Sequence, residues 1–431
     1  MLHIGIDDTD SLDGGCTTWL ITEIINELSD FDLLEPPRLV RLNPNVPWKT
    51  RGNGALALVF GKGIGVKEKI GEINDSEIYM YSDYKEKSFD KSLILERLSK
   101  IVINNSKEDS QPGIVISDNY LPEGLYWQGV RGIVSEEDLA PILSNCLTFG
   151  LRGSRGLFGA ACALSWSGYH SNAHELNFTW ELIGYRSQEL WGTPRDISSA
   201  TVLEVSKLEG VFSCNDSDGK VAMVPNSPCP VLWGFRGTNS KILVDNFQKI
   251  GPEKPKRWLL YKTNQATDDH FCFLDSLNLV DATSIWIDVQ VLSKVEIIKG
   301  GHRFFQIGDL EGNKARCAVF EPSKNLRNIV DKLEIGDQIT VCGSVSDKTI
   351  NIEKLKIREI TPRFSKAPNP ICSCGNRTHS SGKNSKYRCK LCGEKYERPP
   401  PIPVSPNLNI GWFEPPASSR RHLTKPIELI R

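Results

Sequence analysis

The chain opens with a short apolar run, His3-Ile4-Gly5-Ile6, closed by acids, which is the pattern of a buried strand. Leu12-Asp13-Gly14-Gly15 is turn chemistry. A helix is expected to begin near Thr17, where Trp19, Leu20, Ile24 and Leu28 recur at helical spacing. Residues 38–42 and 55–60 read as strands flanking a polar, glycine-rich loop from Asn43 to Gly54. A helix over 93–103 and a strand over 113–116 complete an α/β unit, assigned to residues 1–134. Beyond it the pattern predicts helices over 135–150 and 157–164 and strands over 178–185, 221–224 and 258–261. These make a two-layer α+β domain, residues 135–282.

From residue 283 to 361 the period changes to two. Five runs alternate, at 286–291, 303–307, 315–320, 337–341 and 351–355, with one helix over 326–333 after the third. That order is the OB-fold order, although another small β-barrel would share it. Residues 362–370 read as a linker and 366–398 as a cysteine-bearing module. Residues 399–431, opened by Pro399-Pro400-Pro401, form a Pro-rich tail without a core of its own. The fold class is therefore multidomain α+β.

The 431 residues carry 52 Lys+Arg and 53 Asp+Glu, a net charge of −1 that argues against a nucleic-acid partner until it is resolved along the chain. Residues 284–431 hold 25 basic and 15 acidic side chains, a net of +10, and the preceding 283 hold 27 and 38, a net of −11. The basic part points to an anionic partner. No run approaches the ~18 apolar residues that span a bilayer. Acids stand where a signal peptide needs its apolar core, so a cytoplasmic protein away from membranes is expected. Eight of the 12 cysteines are scattered, as in a reducing compartment.

The other four, Cys372, Cys374, Cys389 and Cys392, have the density of a structural zinc site, with His379 as an alternative ligand because the first knuckle is Cys-x-Cys. Asp7, Asp8 and Asp10 crowd three carboxylates into four residues, a costly arrangement that a magnesium–nucleotide complex would relieve. Asp10 and Ser11 could equally cap a turn. Cys16-Thr17-Thr18 sits where helix amides point outward, suiting phosphate or a simple cap. Lys49, Arg51 and Asn53, among glycines, suit the charge of an ATP tail. Gly153 to Gly159 reads either as an anion nest or as tight helix packing. Arg303, Phe304 and Phe305 could stack bases, with one of the two phenylalanines facing RNA, and Arg420, Arg421 and His422 have phosphate-contact composition.

Seven segments in order resemble the archaeal tRNA-isoleucine 2-agmatinylcytidine synthetases, or agmatidine synthases. They are Gly5 to Ser11, Gly14 to Thr18, Arg41 to Gly54, Arg155 to Ala160, Asn226 to Val231, Thr263 to His270 and Ala417 to Leu423. The resemblance covers nearly the whole chain. It departs at Gly15, where the family has methionine, and at the short first knuckle. It implies a Thr–Cys kinase-like ATP domain, a ferredoxin-like domain, an OB-fold and a zinc ribbon. It also implies ATP-dependent attachment of agmatine to the wobble cytidine of an isoleucine tRNA, with autophosphorylation at Thr17. Asp7, Asp8, Asp10 and Thr17 would be catalytic, and Ser11, Thr18, Lys49, Arg51 and Asn53 would bind ATP. An acidic catalytic half suits the dicationic agmatine, for which Asp216 and Asn226 are candidates.

Overall fold

The computed structural model describes residues 1–50, 52–168, 177–216, 218–380, 382 and 386–430. Its first unit is one twisted sheet with helices on both faces. In chain order the elements are β1 (Leu2–Asp7), α1 (Thr17–Glu27), β2 (Asp32–Leu33), β3 (Arg38–Arg41), β4 (Gly54–Ile73), β5 (Ser76–Lys85), α2 (Lys91–Asn105) and β6 (Gly113–Ser117). Then follow α3 (Glu123–Arg131), α4 (Glu136–Leu143), β7 (Leu147–Gly150), α5 (Gly156–Ser165), β8 (Thr179–Tyr185), α6 (Ser199–Val205), β9 (Val211–Phe212), β10 (Val231–Gly237), α7 (Ser240–Asn246) and β11 (Arg257–Thr263).

The strand order is β7-β6-β1-β4-β3-β11-β8-β10-β9, with the long β4–β5 hairpin extending beyond it. One sheet therefore runs unbroken across the division expected near residue 134, because β3 pairs with β11 in parallel and β6 pairs with β7. Ile21, Ile24 and Leu98 of α1 and α2 share one core with Val202, Val205 and Leu243 of α6 and α7. Leu125 and Val130 of α3 pack with Ala160 to Leu164 of α5 in another.

Two expectations fail here. The helix expected across 135–150 ends at Leu143, and Leu147–Gly150 is extended, since pairing with β6 overrides local propensity. The strand expected over 221–224 is only a bridge at Val221, and the strand in this region is β10.

The second unit comprises β12 (Phe271–Phe273), β13 (Ser284–Val291), β14 (Glu296–Ile297), β15 (Arg303–Gly308), β16 (Lys314–Val319), α8 (Asn325–Val330), β17 (Gln338–Ser346) and β18 (Thr349–Glu359). The pairings β13-β17-β18-β16-β15 close back on β13, giving a five-stranded barrel with α8 after its third strand. Ile287, Phe305, Val341 and Leu355 fill it. Next come β19 (Arg363–Ser365), the small sheet β20 (His379–Ser380), β21 (Tyr387–Arg388) and β22 (Lys395–Tyr396), then β23 (Ile402–Val404) and β24 (Gly411–Phe413). The tail lacks its own core, as its composition predicts, and lies instead on the other units. Leu408 joins the barrel core, β24 pairs with β18, and Leu423 enters the core beside α5. Among the described residues no helix is long and apolar enough to cross a membrane.

Candidate functional site

The chain leaves β1 through Asp8, whose φ of 56° is the left-handed turn that Asp tolerates better than most residues. Asp7, Asp8 and Asp10 on either side of this turn all line one cleft of about 260 Å³. Burial, and after it the neighbouring Asp8 charge, pushes Asp7 up to about 8. Asp8 is also raised by burial, against the pull of Arg155, whose Nη2 and Nε lie 3.0 and 3.2 Å from its Oδ2. Asp10 Oδ1 accepts from the Thr17 amide at 2.6 Å and from the Thr17 hydroxyl at 2.8 Å. Asp10 thus caps α1 from upstream, the bland alternative for this residue, while still lining the cleft.

Glycine at position 159 is required by close approach. A Cβ there would stand 1.8 Å from Asp7 Oδ2. The stretch from Gly153 to Gly159 is therefore tight packing of α5 against the end of β1. Arg155, at its start, is a cleft residue that the sequence shows only as part of a longer motif.

Lys49 and Asn53 line the same cleft, and Arg51 lies outside the described residues. Their loop is anchored by buried Asn43, whose amide donates to the carbonyls of Gly132 and Ala282, both at 2.9 Å. Asn53 Nδ2 donates to Asn43 O at 2.8 Å, so this side chain also ties the loop to itself. Leu42, Val46, Trp48, Ile133, Val134 and Phe158 make the other half apolar. An acidic end and an apolar end suit a nucleotide's phosphates with their cation and its base. Ser11 is not part of this lining. It is buried, donating to Asp109 at 3.0 Å.

A second cleft, of about 340 Å³, meets the first at Asp10, Thr17 and Gly54. Thr18, Asn226, Arg420, Arg421 and His422 line it, together with Arg41, Glu181 and Arg236 from three separate strands. No local motif announces Glu181 or Arg236, and Arg41 shows only as the first residue of the 41–54 segment. Arg236 Nε donates to Glu181 Oε1 at 2.8 Å, and Arg41 Nη2 stands 3.8 Å from its Oε2. Among the described residues four guanidiniums and two carboxylates line this cleft, which is not the acidic lining expected for a dicationic substrate. Its wall at 225–231 is held from behind by Arg195, which donates to the carbonyls of Pro225, Ser227, Cys229 and Val231 at 2.8–2.9 Å.

Several expected site residues have other work. Asp216 is buried, with one oxygen accepting the Ser418 amide at 2.8 Å and the other its hydroxyl at 2.7 Å. It anchors the tail and is not a cleft carboxylate. Arg420 bonds Ser213 at 3.0 Å and Glu414 at 2.5 Å. Arg421 joins Asn45 of the loop to Ser344 and Glu353 of the barrel, at 2.7, 3.0 and 3.2 Å. His422 lines the second cleft. Enclosure there, then the charges of Arg41 and Arg236, holds it well below its ordinary value and neutral at pH 7. On the barrel, Phe305 faces inward, 2 % exposed, and cannot stack a base, since alternation along β15 sends only one of the pair outward. Phe304 is that one, with Arg316 3.9 Å from its ring centre.

Ligand atoms of Cys372, Cys374, Cys389 and Cys392 all lie within 4.8 Å of one another, so four thiolates suffice for tetrahedral zinc. His379 is not in this group. It pairs with Arg388 in the small sheet.

The parts define a class: a multidomain enzyme whose mixed α/β body carries two adjoining clefts, with a closed barrel and a zinc ribbon appended. Three family matches agree, to the TiaS TCKD domain over residues 3–147, the TiaS FLD domain over 154–270 and the TiaS C-terminal zinc ribbon domain over 369–405. The chain is 34% identical to the isoleucine-tRNA 2-agmatinylcytidine synthetase TiaS of Methanocaldococcus jannaschii, over 100% of this chain and 99% of that one. It is 34% identical to its namesake in Methanosarcina mazei, over 98% and 96%. A solved complex of TiaS with its isoleucine tRNA and ATP superposes with a TM-score of 0.85 at 30% identity, covering 100% of this chain and 97% of that one. The chain belongs to the isoleucine-tRNA 2-agmatinylcytidine synthetase TiaS family.

Proposed function

We propose that the protein joins agmatine to the 2-position of the wobble cytidine of an isoleucine tRNA, using ATP, so that the anticodon reads AUA. The observation that carries this reading is the junction of the two clefts at Asp10 and Thr17, which brings a nucleotide site against a space wide enough for a second reactant. A relative has been solved as a complex of TiaS with its isoleucine tRNA, AMPCPP and agmatine, with a TM-score of 0.80 and 28% identity.

The cytosine 2-carbonyl oxygen is a poor leaving group. A phosphoryl group transferred from ATP to that oxygen makes it leave as phosphate when the neutral amine of agmatine attacks the 2-carbon. Asp7, Asp8 and Asp10 would hold magnesium, which supplies charge neutralisation for the phosphoryl group. The raised Asp7 and Asp8 fit this, since crowded carboxylates are relieved by a cation. Arg155, now paired with Asp8, and Lys49, now donating to the Pro44 carbonyl, would turn to phosphate oxygens, and the apolar half would exclude water around the base. Thr17 already directs its hydroxyl proton at Asp10, the arrangement an autophosphorylated threonine requires. The body divides into a kinase-like and a ferredoxin-like part, and the barrel, with its helix after the third strand, is an OB-fold. Phe304 and the ribbon serve RNA.

Incubation with ATP, labelled agmatine and isoleucine tRNA, followed by mass analysis of the nucleosides, tests the reading. Agmatidine should appear only when all three are present, and its absence rejects the proposal.

A further inference from the structure

Between the loop 43–54 and the tail a crevice of about 100 Å³ shares residues with both clefts; Arg41, Lys49, Gly52, Arg421 and His422 line it together with the apolar Leu42, Pro44 and Leu423. Arg41 is one of its lining residues. That side chain is only 14 % exposed, yet its nearest carboxylate is 3.8 Å away and its Nε has no hydrogen-bond partner among the described residues. A buried cation with an unmade donor is costly unless an anion completes it. Burial accordingly lowers Arg41 from its ordinary value.

The walls repeat the preference. Gly52 carries no side chain where a Cβ would come within 2.8 Å of Arg41 Nη1 and 3.1 Å of His422 Nε2, so both groups reach the crevice past bare backbone. Arg421 adds a second guanidinium, already bonded to Asn45, Ser344 and Glu353, and Lys49, whose ammonium donates to the Pro44 carbonyl, stands at the side shared with the first cleft. The acids nearby, Glu181 and Glu353, are committed to Arg236 and to Arg421, His270 and Thr424.

We infer that this crevice is a phosphate site, and that the phosphate it takes is an RNA phosphodiester beside the target nucleotide. Anchored there, the strand would hang its base into the second cleft while ATP occupies the first. The inference rests on the proposed function for the identity of the RNA, and its chemistry is that of any phosphate group, ATP's included. The test separates the two sources.

Full-length isoleucine tRNA is prepared with a neutral methylphosphonate at the linkage 5′ or 3′ to the wobble cytidine, and its affinity is measured without ATP or agmatine. One of the two should bind wild-type protein roughly 10- to 100-fold more weakly, the range for a hydrogen bond to a charged group. Arg41→Gln should bind unmodified tRNA with a similar loss, a salt slope lower by about 1, and little further loss for the neutral linkage. Lys49→Gln, at an exposed position where folding is not at stake, should show the same non-additivity. Affinity for ATP alone should be unchanged in Arg41→Gln. Weakened ATP binding in that variant, with additive tRNA losses, would keep the phosphate site but assign it to the nucleotide, overturning the RNA reading. Additive losses with unchanged ATP binding would overturn the site itself. Because no arm requires agmatine, failure of the ligation reading leaves these outcomes legible on their own.

Discussion

At pH 7 the Asp7 carboxyl should carry a proton that a bound cation must displace. Burial and the adjacent Asp8 raise this group from 3.8 to about 8. About 0.9 of the chains are then protonated at pH 7, about 0.5 at pH 8 and about 0.1 at pH 9. Oxygen ligation requires the carboxylate, so loading with magnesium and ATP should release the proton. Calorimetry in two buffers of different ionisation enthalpy should read about 0.9 proton released per chain at pH 7 and about 0.1 at pH 9. Apparent magnesium affinity should rise about tenfold from pH 6 to 7 and level off above 8. The sign for stability follows from the same shift. Without a cation the folded chain binds more protons at Asp7 than the unfolded one between the two values, so stability falls as pH rises, by up to about 1.4 kcal/mol per pH unit. Below about 6.5 the buried His3, lowered from 6.5 to about 3 by burial, acts in the opposite direction. The clean window is therefore pH 6.5–8, where the melting temperature should drop, and saturating magnesium–ATP should flatten the slope. Asp7→Asn should remove both effects. Heat independent of buffer at pH 7, with a flat melting profile across that window, would refute this account of Asp7.

Gly159→Ala should place a methyl where Asp7 Oδ2 now lies, costing about 1–3 kcal/mol of overpacking and displacing the carboxylate enough to cut turnover about 100-fold; wild-type kinetics would show that α5 does not set the position of Asp7. Phe304→Ala should weaken tRNA binding with little change in melting temperature, whereas Phe305→Ala should lose about 3–5 kcal/mol of stability in denaturant titration; equal effects would mean that the two rings are not divided between surface and core. Cys389→Ser should abolish the single zinc per chain measured by elemental analysis and lower tRNA affinity, leaving ATP binding intact.

What the chain's pattern reveals depends on whether the cause is local. β1, α1 and the barrel strands are legible because each buries one periodic face against its neighbours. β7 is misread because Leu147-Thr148-Phe149 follows a true helix, and only the edge of β6, distant in sequence, makes it extended. The far half of β4 escapes notice because Gly61, Gly63 and Gly65 break its alternation, and pairing with β5 restores it. In the site, Asp7, Asp8, Asp10 and the cysteines announce themselves by crowding. Arg41, Glu181 and Arg236 do not, since three strands must assemble before they meet. Asp216 misleads for the converse reason: a lone acid in a polar loop looks available until residue 418 arrives to occupy it.

That late arrival sets an order of events during synthesis. His422 O and Leu423 O accept the amides of Ala266 and Asp268, so a wall of the second cleft is laid by residues translated after the body, the barrel and the ribbon. The first cleft takes its lining from residues 7–162 and the anchor of its loop from Ala282, so it can close about 140 residues before the second. Until residues 417–424 dock, a ribosome-bound chain has its first cleft but lacks one wall of its second.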